Sequence, residues 1–143
     1  MLDINLLGYC ICTREAIRSM RDRGAKGGHV FFMNSLAGLR FPGNTNLHLY
    51  SVTKYAVTAY AEGVRRELRE MKSPIRVTSI SPGIVETDFA MTMLQNEAKA
   101  AETYAHFKCL QPEDIANAVE YALNSPDHVQ VDNILIRPTQ QTS

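Results

Sequence analysis

The chain has 143 residues, 45% of them hydrophobic and 21% charged, with 15 basic side chains balanced by 15 acidic ones. That length suits one globular domain, and a formal net charge of zero leaves no basic excess to neutralise phosphates, which argues against nucleic-acid binding by bulk electrostatics. With no run of about 18 apolar residues and no basic start of a secretory signal at Met1-Leu2-Asp3, a cytoplasmic protein without a membrane span is expected, its Cys10, Cys12 and Cys109 read as buried thiols in a reducing compartment.

Residues 2–22 read as a helix with Leu6, Cys10, Ile17 and Met20 on one side. Arg18, Arg21, Arg23 and Lys26 near its end complement the C-terminal dipole, or else form a binding patch. After the Gly27-Gly28 break, His29-Val30-Phe31-Phe32-Met33 is a short apolar run. The strongest periodicity follows, between Thr45 and Met71. Val57, Tyr60, Ala61, Val64, Leu68 and Met71 share one helical face, while Glu62, Arg65, Arg66, Arg69 and Glu70 form the other, with Glu62 and Arg66 spaced as an ion pair.

Strand-like runs return at 75–80, closed by Pro82-Gly83, and at Ile134-Leu135-Ile136, before Pro138. Such short, β-branched runs suit strands buried on both faces. Between them, Phe89, Met93, Tyr104 and Phe107 permit a helix within 88–108, or a mobile lid. Residues 112–124 read as a helix with Pro112 in its first turn, Glu113 and Asp114 at its positive end, and Asn124 with Pro126 as the stop. Helices alternating with strands imply an α/β fold with a parallel sheet. Three strands are half of the roughly six in a doubly wound dinucleotide-binding sheet, so the expected fold is a partial Rossmann-type sheet, its last three strands with their helices.

Chemistry concentrates at one edge of that sheet. Tyr50-Ser51-Val52-Thr53-Lys54 sets a phenol and an ammonium one helical turn apart. An unperturbed tyrosine titrates near about 10, and a fixed positive charge beside it favours the phenolate and lowers that value, which suits general acid–base work. The competing reading is a surface tyrosine beside a solvated lysine. Ser35 follows the strand 29–33, where ligands of parallel sheets gather, although a serine there is more often a cap or a turn former. Pro82-Gly83-Ile84-Val85-Glu86-Thr87 ends the next strand on the same rim and offers backbone amides and a hydroxyl. A serine hydrolase is excluded, because Ser35 lacks a Gly-x-Ser-x-Gly context and no histidine has a motif that makes it the base. His29, His48, His106 and His128 show no metal-ligand spacing.

With these residues in place, the sequence resembles the short-chain dehydrogenase/reductase family: a serine after a strand, Tyr-x-x-x-Lys on the next helix, Pro-Gly-x-x-x-Thr after the next strand, and Asn5 in Asp3-Ile4-Asn5-Leu6-Leu7-Gly8. Cys12-Thr13-Arg14-Glu15-Ala16, Thr53-Lys54-Tyr55-Ala56-Val57-Thr58-Ala59, Ser81 to Thr87 and Arg137-Pro138-Thr139 are closer still to its member-eleven subgroup, with ketosteroid reductases in vertebrates and farnesol dehydrogenases among insect relatives. The resemblance implies NADP (NADPH) as cofactor and a small apolar carbonyl or alcohol, a ketosteroid or an isoprenoid alcohol, as substrate. It implies that Tyr50 exchanges a proton with the substrate oxygen, that Ser35 hydrogen-bonds that oxygen, that Lys54 holds the nicotinamide ribose and lowers the tyrosine pKa, and that Asn5 positions a relay water. Pro82, Gly83, Val85, Glu86 and Thr87 would seat the nicotinamide, and the helices at 2–22 and 45–72 would form a homo-oligomer.

The family's Thr-Gly-x-x-x-Gly-x-Gly turn does not occur in these residues; Gly24, Gly27 and Gly28 precede a strand rather than a helix. Residues 1–143 are therefore expected to be a single partial domain without the N-terminal dinucleotide-binding half, and to expose an apolar strand edge at Phe31 and Phe32. The alternative to the enzyme is a catalytically inactive truncated chain that associates with full-length family members.

Overall fold

The computed structural model describes residues 1–42 and 47–142. A π-helical turn at Asp3–Leu7 runs directly into α1 (Gly8–Asp22), and β1 (Gly28–Met33) follows. A 3-10 turn at Leu36–Gly38 leads to α2 (His48–Glu70) and β2 (Ile75–Pro82). Two short helices, α3 (Phe89–Leu94) and α4 (Glu97–Ala105), precede α5 (Pro112–Leu123) and β3 (Asn133–Ile136). The strands form one parallel sheet in the order β1-β2-β3, with Val30 opposite Val77 and Ile134 opposite Ile80. This is the partial Rossmann-type α/β arrangement expected. The start of the second helix expected at Thr45 lies outside the described residues.

The core is made where α1 and α2 cover the sheet. Phe32, Val57, Ala61, Val64, Leu68, Ile75 and Val77 are buried together, and Tyr9, Ile17, Met20, Val30 and Tyr60 pack on them. The α2 stripe read from spacing is thus the buried face, except that Met71 is 41% exposed. It caps the helix one residue past its end, where the sheet no longer faces it. Glu62 and Arg66 pair at 2.6 Å as their spacing predicts.

Arg65 departs from the expected polar face. It is buried; its Nε donates to the Val77 carbonyl at 3.2 Å and its Nη2 to the Asp132 carbonyl at 3.1 Å, while Nη1 pairs with Glu62. The guanidinium thereby ties α2 to β2 and to the approach of β3, which a helical projection cannot show.

β2 is buried along its length, as a two-faced strand should be, whereas β3 alternates between exposed and half-buried positions. β3 lies at the sheet edge and is covered on one face only. The thiols also differ: Cys109 is buried, Cys10 half-buried and Cys12 exposed, because positions two apart on α1 cannot share its inner face. All three are free. The 88–108 segment forms two helices around the small buried residues Ala90, Ala100 and Cys109. α5 begins with Pro112, and the Gln111 backbone N–H donates to Asp114 at 2.9 Å, fixing its first turn. No described helix is long and apolar enough to cross a membrane.

Candidate active site

The carboxyl end of β1 delivers Asn34 and Ser35 to the start of the 3-10 turn, and Ser35 caps that turn: its Oγ accepts from the Ala37 backbone N–H at 3.1 Å. Acceptance from Ala37 leaves the Ser35 hydroxyl proton free to be donated. Tyr50 stands on the first turn of α2, and the Ser35 hydroxyl beside it favours the Tyr50 phenolate. Burial acts more strongly in the opposite direction, so the Tyr50 pKa lies above the ordinary tyrosine value. The expected lowering by Lys54 is therefore not the net result.

Lys54 sits one turn further along α2, its Nζ 5.7 Å from the Tyr50 ring centroid and 5.8 Å from that of Tyr9. The ammonium donates to the Met33 carbonyl at 2.9 Å, and burial lowers its pKa. Tyr9 donates to the same carbonyl at 2.6 Å, and its pKa is raised first by burial and then by Tyr50. Sequence reasoning missed Tyr9; its one signal was its place one turn after Asn5 on the same helix.

Asn5 lies within the π-helical turn. Its Nδ2 donates to Thr53 Oγ1 at 3.2 Å, and that hydroxyl donates to the Tyr50 carbonyl at 2.7 Å. Asn5 thus reaches the first turn of α2 through Thr53, a fully buried residue that sequence reasoning did not single out although it lies inside Tyr-x-x-x-Lys. Asn5, Ser35, Tyr50 and Lys54 come from three separated segments and are brought to one end of the sheet.

The second predicted group leaves the end of β2. Gly83 donates to the Ile136 carbonyl at 2.7 Å, and a Cβ at this position would approach the Arg137 Cβ to 2.8 Å, so the close crossing needs glycine. Leu110 donates to the Ile84 carbonyl at 3.1 Å and accepts from Glu86 at 2.9 Å. This pairing leaves the N–H and C=O of Val85 directed away from Leu110. The Glu86 carboxylate accepts from Gln111 Nε2 at 2.9 Å, and Thr87 Oγ1 accepts from the Phe89 N–H at 3.3 Å. Phe89 joins the two groups, its ring 5.7 Å from that of Tyr50.

A free main-chain donor and acceptor at Val85, with a hydroxyl two residues on, fit a carboxamide, which presents one of each. The glycine at position 83 keeps that turn against the sheet. Among the described residues no group of three or more His, Cys, Asp or Glu side chains could hold a metal ion.

The family described as short chain dehydrogenase matches residues 1–98. The whole chain is 53% identical to dehydrogenase/reductase SDR family member 11 of Bos taurus, covering 56% of that protein. It is 37% identical to farnesol dehydrogenase of Aedes aegypti over 96% of the chain and 53% of that protein. Among solved structures, serine dehydrogenase in its closed form complexed with NADP+ superposes over the full chain with a TM-score of 0.91 at 30% identity, covering 56% of that structure. The chain spans about half the length of the curated relatives it matches.

Proposed function

Since the chain belongs to the short-chain dehydrogenase family, we propose that it is the catalytic portion of an NADP-dependent oxidoreductase acting on an apolar ketone or alcohol. The observation that carries this reading is the Tyr50 phenol, whose ring lies 5.7 Å from the Lys54 ammonium and whose phenolate the Ser35 hydroxyl favours, at the carboxyl end of β1. The NADP+ complex of the structurally similar serine dehydrogenase supports the choice of cofactor. Val85 and Thr87 would hold the nicotinamide carboxamide, and Lys54 the adjoining ribose. When bound, NADPH supplies the hydride that goes to the carbonyl carbon, while Tyr50 gives its proton to the carbonyl oxygen and leaves an alcohol.

The upward shift of Tyr50 suits that direction. A phenol that stays protonated at neutral pH is ready to donate, and the phenolate formed on donation is met by the Ser35 hydroxyl and the nearby Lys54 charge. Asn5, through Thr53, fixes the first turn of α2 from which Tyr50 projects. The exposed apolar side chains of Phe89, Met91 and Leu94 favour a steroid or isoprenoid substrate over a charged one. Exposed Ile4, Leu7 and Ile11 on the first helical segment and Leu49, Val52 and Tyr55 on α2 offer apolar surface for a homo-oligomer. Three free cysteines suit a reducing, cytoplasmic setting.

In this reading residues 1–143 form a partial domain, and the glycine-rich nucleotide turn comes from sequence outside them. The second reading, a non-catalytic partner of full-length relatives, draws on the same exposed apolar surface of the first helical segment and α2. Intact mass of the protein from its source cell, followed by NADPH titration and NADPH-dependent ketone reduction on that protein, tests the enzyme. Binding, turnover and a loss of about 10³-fold in kcat on Tyr50→Phe are expected. A 16.0 kDa protein that binds no NADPH and copurifies with a full-length relative would establish the second reading instead.

A further inference from the structure

Tyr104, on α4, is far from Tyr50 in sequence, yet its hydroxyl meets the start of the segment that covers Tyr50. The phenol donates to the Thr87 carbonyl at 2.8 Å and accepts from the Ala90 N–H at 3.2 Å. α3 needs such support. It has six residues, its N-cap Asp88 makes no side-chain capping bond, and it ends at Gln95 in the left-handed conformation with φ of 47°. A helix this short does not hold itself in water. Its first-turn N–H groups are taken from outside, Phe89 by Thr87 Oγ1 and Ala90 by Tyr104. α4 in turn is anchored by Ala100, and the buried Cys109 thiol donates to the Tyr104 carbonyl at 3.9 Å.

We propose that Tyr104 is a positioning residue for the active site: its hydroxyl bridges Thr87 and Ala90 and so holds α3 in the pose that lays the Phe89 ring against Tyr50. One atom thereby links Thr87, which the proposed function gives to the nicotinamide, with Ala90, the chain neighbour of Phe89, whose ring lies beside the proton donor. The inference deepens the proposed function by naming what sets the apolar wall beside the reacting oxygen, and in that sense it rests on that reading. Its structural content does not require turnover.

The test uses the 143-residue chain with ¹³C-labelled tyrosine, on dilute, monomeric protein. The Tyr50 ring signal is assigned by its loss in Tyr50→Phe, and Phe89→Ala gives the shift that follows removal of the neighbouring ring current. Tyr104→Phe, which keeps the ring and deletes only the hydroxyl, is expected to move the Tyr50 signal in the same direction. In the Phe89→Ala background it is expected to add nothing. Hydrogen exchange at the Ala90 amide should quicken about fivefold, the equivalent of one lost hydrogen bond, with β2 amides unchanged. A Tyr50 signal that Tyr104→Phe leaves in place would overturn the proposal. So would a concurrent shift of the core residue Tyr60, because the hydroxyl would then be holding the domain rather than the cover. Failure of NADPH turnover with these shifts present would count against the enzyme and not against Tyr104.

Discussion

Gly38 is where the fold and the candidate site depend on one missing methyl group. It closes the 3-10 turn that Ser35 caps, and a Cβ there would lie 2.6 Å from the Lys54 carbonyl oxygen and 2.7 Å from Asn34 Oδ1. Both contacts fall well inside ordinary van der Waals distance, and the first is helix backbone that cannot rotate away. The turn cannot swing out freely either, since Leu36 and Ala37 are buried and the Gly38 carbonyl accepts from Thr58 Oγ1 at 2.8 Å. Gly38→Ala must therefore lift the turn from α2, at about 1–3 kcal/mol for overpacking and about 1 kcal/mol for the strained Thr58 bond. A total of about 3 kcal/mol lowers Tm by roughly 10 °C in a chain of this size. Urea unfolding followed by far-UV circular dichroism measures the loss, and ultraviolet titration follows Tyr50. Because the Ser35 hydroxyl acts to lower the Tyr50 pKa, drawing Ser35 away should raise it further. A variant as stable as the parent, with Tyr50 titrating unchanged, would refute the close-approach argument.

His29 donates from Nε2 to Thr78 Oγ1 at 2.7 Å, since that hydroxyl gives its own proton to the Val131 carbonyl; burial first, then Arg76, lowers the His29 pKa to about 4. The unfolded chain, with histidine near about 6.5, binds more protons between these values, so stability should be complete above pH 6.5 and decline as pH falls toward 4. Chemical unfolding across that window should show the slope, and His29→Gln should flatten it; an unaltered slope in the variant would assign it to other groups. Arg65→Ala removes charge-assisted bonds to the carbonyls of Val77 and Asp132, which keep Gln130 Nε2 and the Ser79 N–H as donors, and is expected to cost about 2 kcal/mol, against nearly nothing for Arg66→Ala, which pairs with the half-exposed Glu62. Equal stabilities for the two variants would show that Arg65 does not tie α2 to the sheet. β1 is an edge of the described sheet, so the isolated chain should gain mass with concentration in sedimentation, less so with Phe31→Lys. A cooperative melt of strictly monomeric protein would contradict this.

Much of the architecture was legible because burial imposes a period. Val57, Ala61, Val64 and Leu68 return every three or four residues and all become core, and the short β-branched run at 75–80 becomes the most deeply buried strand. Patterning gave no warning of Arg65, whose fate depends on a loop carbonyl at Asp132, nor of the π-helical turn at Asp3–Leu7, which has no composition of its own. The site was half legible. Tyr50 and Lys54 share a helix, and their spacing carries them together, but Ser35 and Asn5 reach them through chain topology. Thr53 and Tyr9 escaped notice because their importance lies in which carbonyl their hydroxyls find. The direction of the Tyr50 shift was also beyond the sequence, because the spacing of charges predicts attraction to Lys54 while only the folded chain shows how far burial opposes it.

Backbone alternation ties the free edge of the sheet to the candidate site. The Asn34 N–H donates to the Ile80 carbonyl at 2.8 Å, so the amide groups of Asn34 face β2, and in an extended strand those of Met33 face the opposite way. The Met33 carbonyl therefore points along the edge that β1 leaves unpaired. There it is satisfied by the Tyr9 hydroxyl and the Lys54 ammonium, a charge-assisted bond among the stronger kinds available. The same ammonium lies 5.7 Å from the Tyr50 ring. Edge pairing and phenol ionisation thus draw on one cation, whose pKa is already lowered by burial. Lys54 meets both uses from one position, since the nitrogen that binds Met33 already lies beside the phenol, and a change that frees the Met33 carbonyl would also move the charge facing the phenolate.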